Sequence, residues 1–115
     1  MSESTFINPS LPAAEKYLLL EEQVKALVYG EDDLIANLSN IMSALKYGMN
    51  YFWVGVYKVA GDQLVLGPFQ GPVACTRIAK GRGVCGACWA EKQTIIVSNV
   101  DEFPGHIACS SATKS

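Results

Sequence analysis

Residues 51–59 read YFWVGVYKV, a run of aromatic and β-branched side chains that suits a pleated strand. The chain before it keeps a different period. Leu20, Val24, Leu27 and Val28 recur at helical spacing, with Glu15, Glu21, Glu22 and Lys25 on other faces. Ser10 is the expected N-cap, Pro12 stands in the first turn and Gly30 ends this first helix. After Asp32 and Asp33, a second apolar stripe runs through Leu34, Ile35, Leu38, Ile41, Met42 and Leu45, with Gly48 as its stop.

Beyond Val59 the period stays extended. Ala60–Gln63 is a short hairpin loop and LVLGPF is its partner strand. GPVACTRIA makes a third strand. A glycine-rich loop at Lys80–Gly83, a short helix over Val84–Lys92, a fourth strand TIIVSNV and the loop DEFPGH follow. Two N-terminal helices packed on an antiparallel sheet predict an α+β domain. The sheet calls for at least one more strand than the segment through IACSSATKS supplies.

Composition narrows the function. The 115 residues have room for one core, so 1–115 is expected to be a single domain. Half of the residues are hydrophobic and 17% are charged, which excludes a disordered polyelectrolyte. Nine basic against eleven acidic residues cannot dress a phosphate-facing surface, so no nucleic-acid partner is expected. The apolar runs are far too short to span a bilayer, and MSESTFINPS lacks the features of a secretion signal. The expectation is a cytoplasmic protein with no membrane partner.

Chemistry gathers in the last third, which holds all four cysteines: Cys75, Cys85, Cys88 and Cys109. In a reducing compartment these serve as buried apolar residues, metal ligands or redox groups. Cys85 and Cys88 form a C-x-x-C pair where a helix begins, a place that can stabilise a thiolate; a small buried helix residue is the plainer reading of Cys88. With His106 and Cys109 they also space out as a tetrahedral zinc site, although the chain has a core without one and the site leaves Cys75 unexplained. GRGVCG at Gly81–Gly86 matches the glycine pattern of dinucleotide loops, with Asp101 about twenty residues on. The helix after it is short and no further β-α unit follows, so a tight turn is the better reading. His106 alone reads as a solvated loop residue. Trp53, Phe52 and Tyr57 read equally well as core.

Four segments taken together, YFWVGVY, GPFQGPVAC, GRGVCG and DEFPGHIAC, resemble the free methionine-(R)-sulfoxide reductases, small GAF-fold enzymes. The resemblance runs from about Leu11 to the last residue. It implies a GAF-like antiparallel sheet with its last strand or strands missing. It also implies Cys109 as nucleophile and Cys75 as the thiol that closes a disulfide with it. Cys85 is the third motif thiol, either the nucleophile or an alternative resolving partner, while Cys88 has no counterpart. Trp53 stands where the family places an aromatic wall against the substrate's S-methyl end. Implied partners are free methionine-(R)-sulfoxide, thioredoxin as reductant and a second copy of the chain in a homodimer; no cofactor and no metal are implied.

Two departures from the family are visible. Ser110 replaces an acidic residue after GHIAC, and the acidic segment that the family carries next is not in these 115 residues. Those carboxylates hold the substrate's ammonium and help the oxygen leave, help typically worth ~10²–10⁴-fold. The expectation is therefore weak or absent turnover. A GAF-type binding or redox-sensing module is the alternative from a different class, and a zinc-binding domain the third.

Overall fold

Helix α1 (Ala13–Val28) starts without a side-chain cap, and Pro12, not Ser10, occupies its N-cap position. Ser10 instead donates its backbone N–H and its hydroxyl to Asn8 Oδ1, a local turn that competes with capping. These elements come from a computed structural model that describes residues 7–105. The helix ends at Val28 with Tyr29 as its C-cap, so Gly30 lies just beyond it. Helix α2 (Leu34–Met49) is capped by Asp33, whose carboxylate accepts the Ala36 N–H at 2.8 Å.

Gly48 is not the stop that its residue type suggested. It lies inside α2, where a Cβ would come within 2.6 Å of Leu20 Cδ2. Close approach to Leu20 is what requires glycine here. The helix turns off at Asn50, which is left-handed at φ 57° and returns its N–H to the Lys46 carbonyl.

Strand β1 (Val54–Ala60) and strand β2 (Gln63–Gln70) are joined by a two-residue turn at Gly61 and Asp62. Strand β3 (Arg77–Ala79) completes a sheet of order β1-β2-β3 among the described residues. It pairs antiparallel with β2, placing the buried Leu64 and Ile78 opposite each other. The Leu66 N–H donates to the Thr76 carbonyl at 2.9 Å and carries the pairing one step further. Helix α3 (Gly83–Glu91) packs on β3. A 3₁₀ turn, Val100–Glu102, follows, with the Asn99 side chain accepting the Asp101 N–H.

Two predicted strands are corrected. GPVACTRIA is extended only at Arg77–Ala79, because Gly71 and Pro72 interrupt the ladder ahead of it. TIIVSNV is not a strand: residues 94–97 make no ladder among the described residues, and Ile96 is 92% exposed. Its β-branched residues pair with no strand among the described residues, and strand propensity without pairing is weak. YFWVGVYKV also begins later, at Val54. His106 and Cys109, with the closing IACSSATKS, lie outside the described residues.

The chain divides into two compact units, Met1–Val56 with Pro68–Gly71, and Tyr57–Gly67 with Pro72–Ser115. In the first, α1 packs against α2 around Ile7, Leu20 and Ala44, flanked by Val24, Leu27, Leu45 and Met49. Leu20 is the centre of this core at 2% exposure. Full burial of such a side chain contributes about 1.5–3 kcal/mol. In the second, Leu64, Ile78 and Val100 are buried. Among the described residues, no helix is long and apolar enough to cross a membrane.

Candidate functional site

Three of the four cysteines fall among the described residues, all in the second unit. Cys75 is half-buried in the irregular segment between β2 and β3 and is disulfide-bonded. Cys85 and Cys88 are free thiols on α3, the first exposed and the second half-buried.

Helix α3 owes its position to the glycines before it. Gly81 is left-handed at φ 82° and Gly83 at φ 63°, conformations that L side chains rarely adopt. The Gly81 N–H donates to the Gly86 carbonyl at 2.9 Å, the Arg82 N–H to the Ala79 carbonyl at 3.1 Å, and the Gly86 N–H to the Arg82 carbonyl at 3.0 Å. A Cβ on Gly86 would meet the Ala79 carbonyl oxygen at 2.7 Å. The glycine pattern therefore builds a tight turn that fastens α3 to β3. At least three of its N–H groups serve the chain's own backbone.

Tyr57, on β1, reaches the segment that carries Cys75. Its hydroxyl donates to the Cys75 carbonyl at 2.7 Å. Burial pushes its phenol above the ordinary value, and the neighbouring Cys85 adds to that. Burial likewise pushes the Cys85 thiol up, with Cys88 adding to the rise. The exposed face of Cys85 does not relieve this, because enough protein surrounds the sulfur to disfavour a thiolate. The thiolate-stabilising effect expected of a helix N-terminus is thus outweighed at Cys85. Tyr57 had read as simple core; a tyrosine in an otherwise apolar strand, whose hydroxyl needs a partner when buried, was the available clue.

Trp53 belongs to the first unit. Its ring stacks on Phe69 at 5.5 Å between centroids, with 18° between the planes. Two glycines frame it. A Cβ at Gly55 would meet Phe69 Cβ at 2.6 Å, and one at Gly71 would meet Trp53 Cδ1 at 2.8 Å. This packing holds the Trp53 ring in one place.

No group of three or more His, Cys, Asp or Glu side chains able to hold a metal occurs among the described residues. The zinc set predicted from spacing includes His106 and Cys109, which lie outside them.

No protein-family model matches the chain. The chain is 57% identical over 102 residues to GAF domain-containing protein A of Dictyostelium discoideum, a match covering 88% of this chain and 65% of that protein. It is 46% identical over 103 residues to the free methionine-R-sulfoxide reductase of Escherichia coli, covering 88% and 62% respectively. The solved structure of free methionine-R-sulfoxide reductase from Neisseria meningitidis, in complex with its substrate, superposes with a TM-score of 0.86 at 45% identity. That likeness covers 96% of this chain and 68% of the other. The chain thus spans just under two thirds of the length of these two curated relatives.

Proposed function

We propose a function on the premise these likenesses supply: the chain belongs to the free methionine-R-sulfoxide reductase family and shares its GAF fold. The reaction is thiol-dependent reduction of free methionine-(R)-sulfoxide to methionine. Cys109 as thiolate attacks the sulfoxide sulfur, the oxygen takes up protons, methionine leaves and a sulfenic acid remains on Cys109. The Cys75 thiol condenses with it, releasing water and closing a Cys75–Cys109 disulfide. Thioredoxin opens that disulfide by exchange and returns both thiols. Trp53 provides the wall for the S-methyl end. The protein is cytoplasmic and pairs with a second copy.

The observation that carries the reading is the state of the described cysteines: Cys75 is disulfide-bonded while Cys85 and Cys88 are free. It supports Cys75 as the resolving thiol. The assignment of attack to Cys109 follows the family resemblance, with Cys85 as the alternative nucleophile or resolving partner.

The test is coupled turnover. The chain is mixed with free methionine-(R)-sulfoxide, thioredoxin, thioredoxin reductase and NADPH. NADPH consumption that Cys109→Ser abolishes is the expected result. Activity that survives both Cys109→Ser and Cys85→Ser would sink the proposal.

A further inference from the structure

The Cys85–Cys88 pair is not used by the reaction above, yet both thiols are free and stand one helical turn apart on α3. Residues at i and i+3 share a helix face, with Cβ atoms ~5–6 Å apart. Cys75, whose carbonyl Tyr57 binds at 2.7 Å, lies just ahead of β3, and α3 with Cys85 packs on that same strand. We propose that Cys85 and Cys88 form a second dithiol site, which takes over the disulfide from Cys75 and presents it on helix α3 to an external dithiol reductant. The proposal rests on the reading in which Cys75 is oxidised during turnover.

The step is a thiol–disulfide exchange and needs no oxidant of its own. The Cys85 thiolate attacks Cys75 Sγ in its disulfide. A Cys75–Cys85 bond forms, and the former partner of Cys75 leaves as thiolate. The Cys88 thiolate then attacks Cys85 Sγ, forming Cys85–Cys88 and expelling Cys75 as thiolate. One disulfide is lost and one gained, so the electrons balance.

The helix can accommodate the product. A disulfide needs its Cβ atoms ~3.5–4.5 Å apart, closer than regular i, i+3 spacing. The first turns of α3 must therefore tighten or open. They include Gly83 and Gly86, poor helix formers, and Arg82 at the N-cap makes no side-chain cap bond. Cys88 is what turns the single motif thiol Cys85 into a pair. Without it the exchange would stop at the mixed disulfide.

Disulfide mapping tests this. The reduced chain receives one equivalent of free methionine-(R)-sulfoxide or, in a parallel arm, of hydrogen peroxide. Samples are quenched with N-ethylmaleimide over time and digested with trypsin. The expected order is a disulfide involving peptide Val59–Arg77, which carries Cys75, followed by loss of label from peptide Gly83–Lys92, which carries Cys85 and Cys88. Cys88→Ala or Cys88→Ser should abolish the Cys85–Cys88 disulfide, leave the cross-linked Cys75–Cys85 peptides as the end point, and leave the rate of the first Cys75 disulfide unchanged. The relay alone is overturned if the Cys75 disulfide forms but Gly83–Lys92 stays fully labelled. It is equally overturned if Cys85–Cys88 closes as fast in Cys75→Ser. Both species forming with peroxide but not with the sulfoxide would uphold the relay and refute the substrate assignment. No disulfide at Cys75 in either arm would overturn both.

Discussion

The Tyr57 hydroxyl donates to the carbonyl of Cys75 at 2.7 Å, across eighteen positions of sequence. This bond fixes the backbone of a cysteine that lies outside any regular element. Tyr57→Phe removes the donor and leaves a half-buried carbonyl to find another. The expected loss is about 1 kcal/mol, seen as a lower urea midpoint with an unchanged slope. An unaltered midpoint would mean that the bond carries no net stability.

Gly86→Ala should be worse tolerated than its single added methyl suggests. The new Cβ meets a backbone oxygen, Ala79 O at 2.7 Å, and backbone cannot rotate away. Overpacking of this kind costs roughly 1–3 kcal/mol, against about 1 kcal/mol gained from helix propensity. Net destabilisation, with faster amide exchange at Gly81 and Arg82, is the outcome to look for in hydrogen-exchange data.

Leu20 and Gly48 should be energetically coupled. Leu20→Ala opens the centre of the helical core and should cost about 2–5 kcal/mol. Gly48→Ala alone presses on Leu20 Cδ2. In the Leu20→Ala background that pressure is gone and only the propensity gain remains, about 1 kcal/mol. A thermal-denaturation double-mutant cycle should therefore be non-additive, with Gly48→Ala stabilising only the truncated core.

Alkaline pH should destabilise the protein through Cys85 and Tyr57. Both are acids held above their ordinary values by burial, and both lose a proton on ionising. The folded state keeps protons that the unfolded chain has already released. Stability is thus complete below the unfolded thiol's pKa, about 8.5, and falls as pH rises through the raised values. Denaturation midpoints measured from neutral pH upward should fall accordingly. Iodoacetamide should modify Cys85 with a midpoint above that of an ordinary thiol, and Cys88→Ala should lower that midpoint.

The two helices were legible because their apolar spacing has one interpretation, and β1 and β2 because their turn sits between runs of extended residues. Gly48 misled because a glycine that ends a helix and a glycine that admits a neighbour's side chain look alike until Leu20 is seen beside it. TIIVSNV failed for a related reason: β-branched residues describe what a strand prefers, while pairing depends on a partner that local sequence does not name. Of the proposed site, the family resemblance singled out Cys75, Cys85, Cys109 and Trp53 in advance, and Cys109 lies outside the described residues. Tyr57 was not, since its role depends on a carbonyl eighteen residues away.

Lys92 and Asn50, which close α3 and α2, both have φ 57° although neither is glycine. An L side chain in that conformation carries a steric penalty of roughly 1–2 kcal/mol. Asparagine escapes part of that penalty and lysine does not, so of these two places Lys92 is the one where erasing the side chain gains more. Lys92→Gly is the more useful to an engineer, because it would firm up the trailing end of the cysteine-bearing helix and leave its thiols untouched.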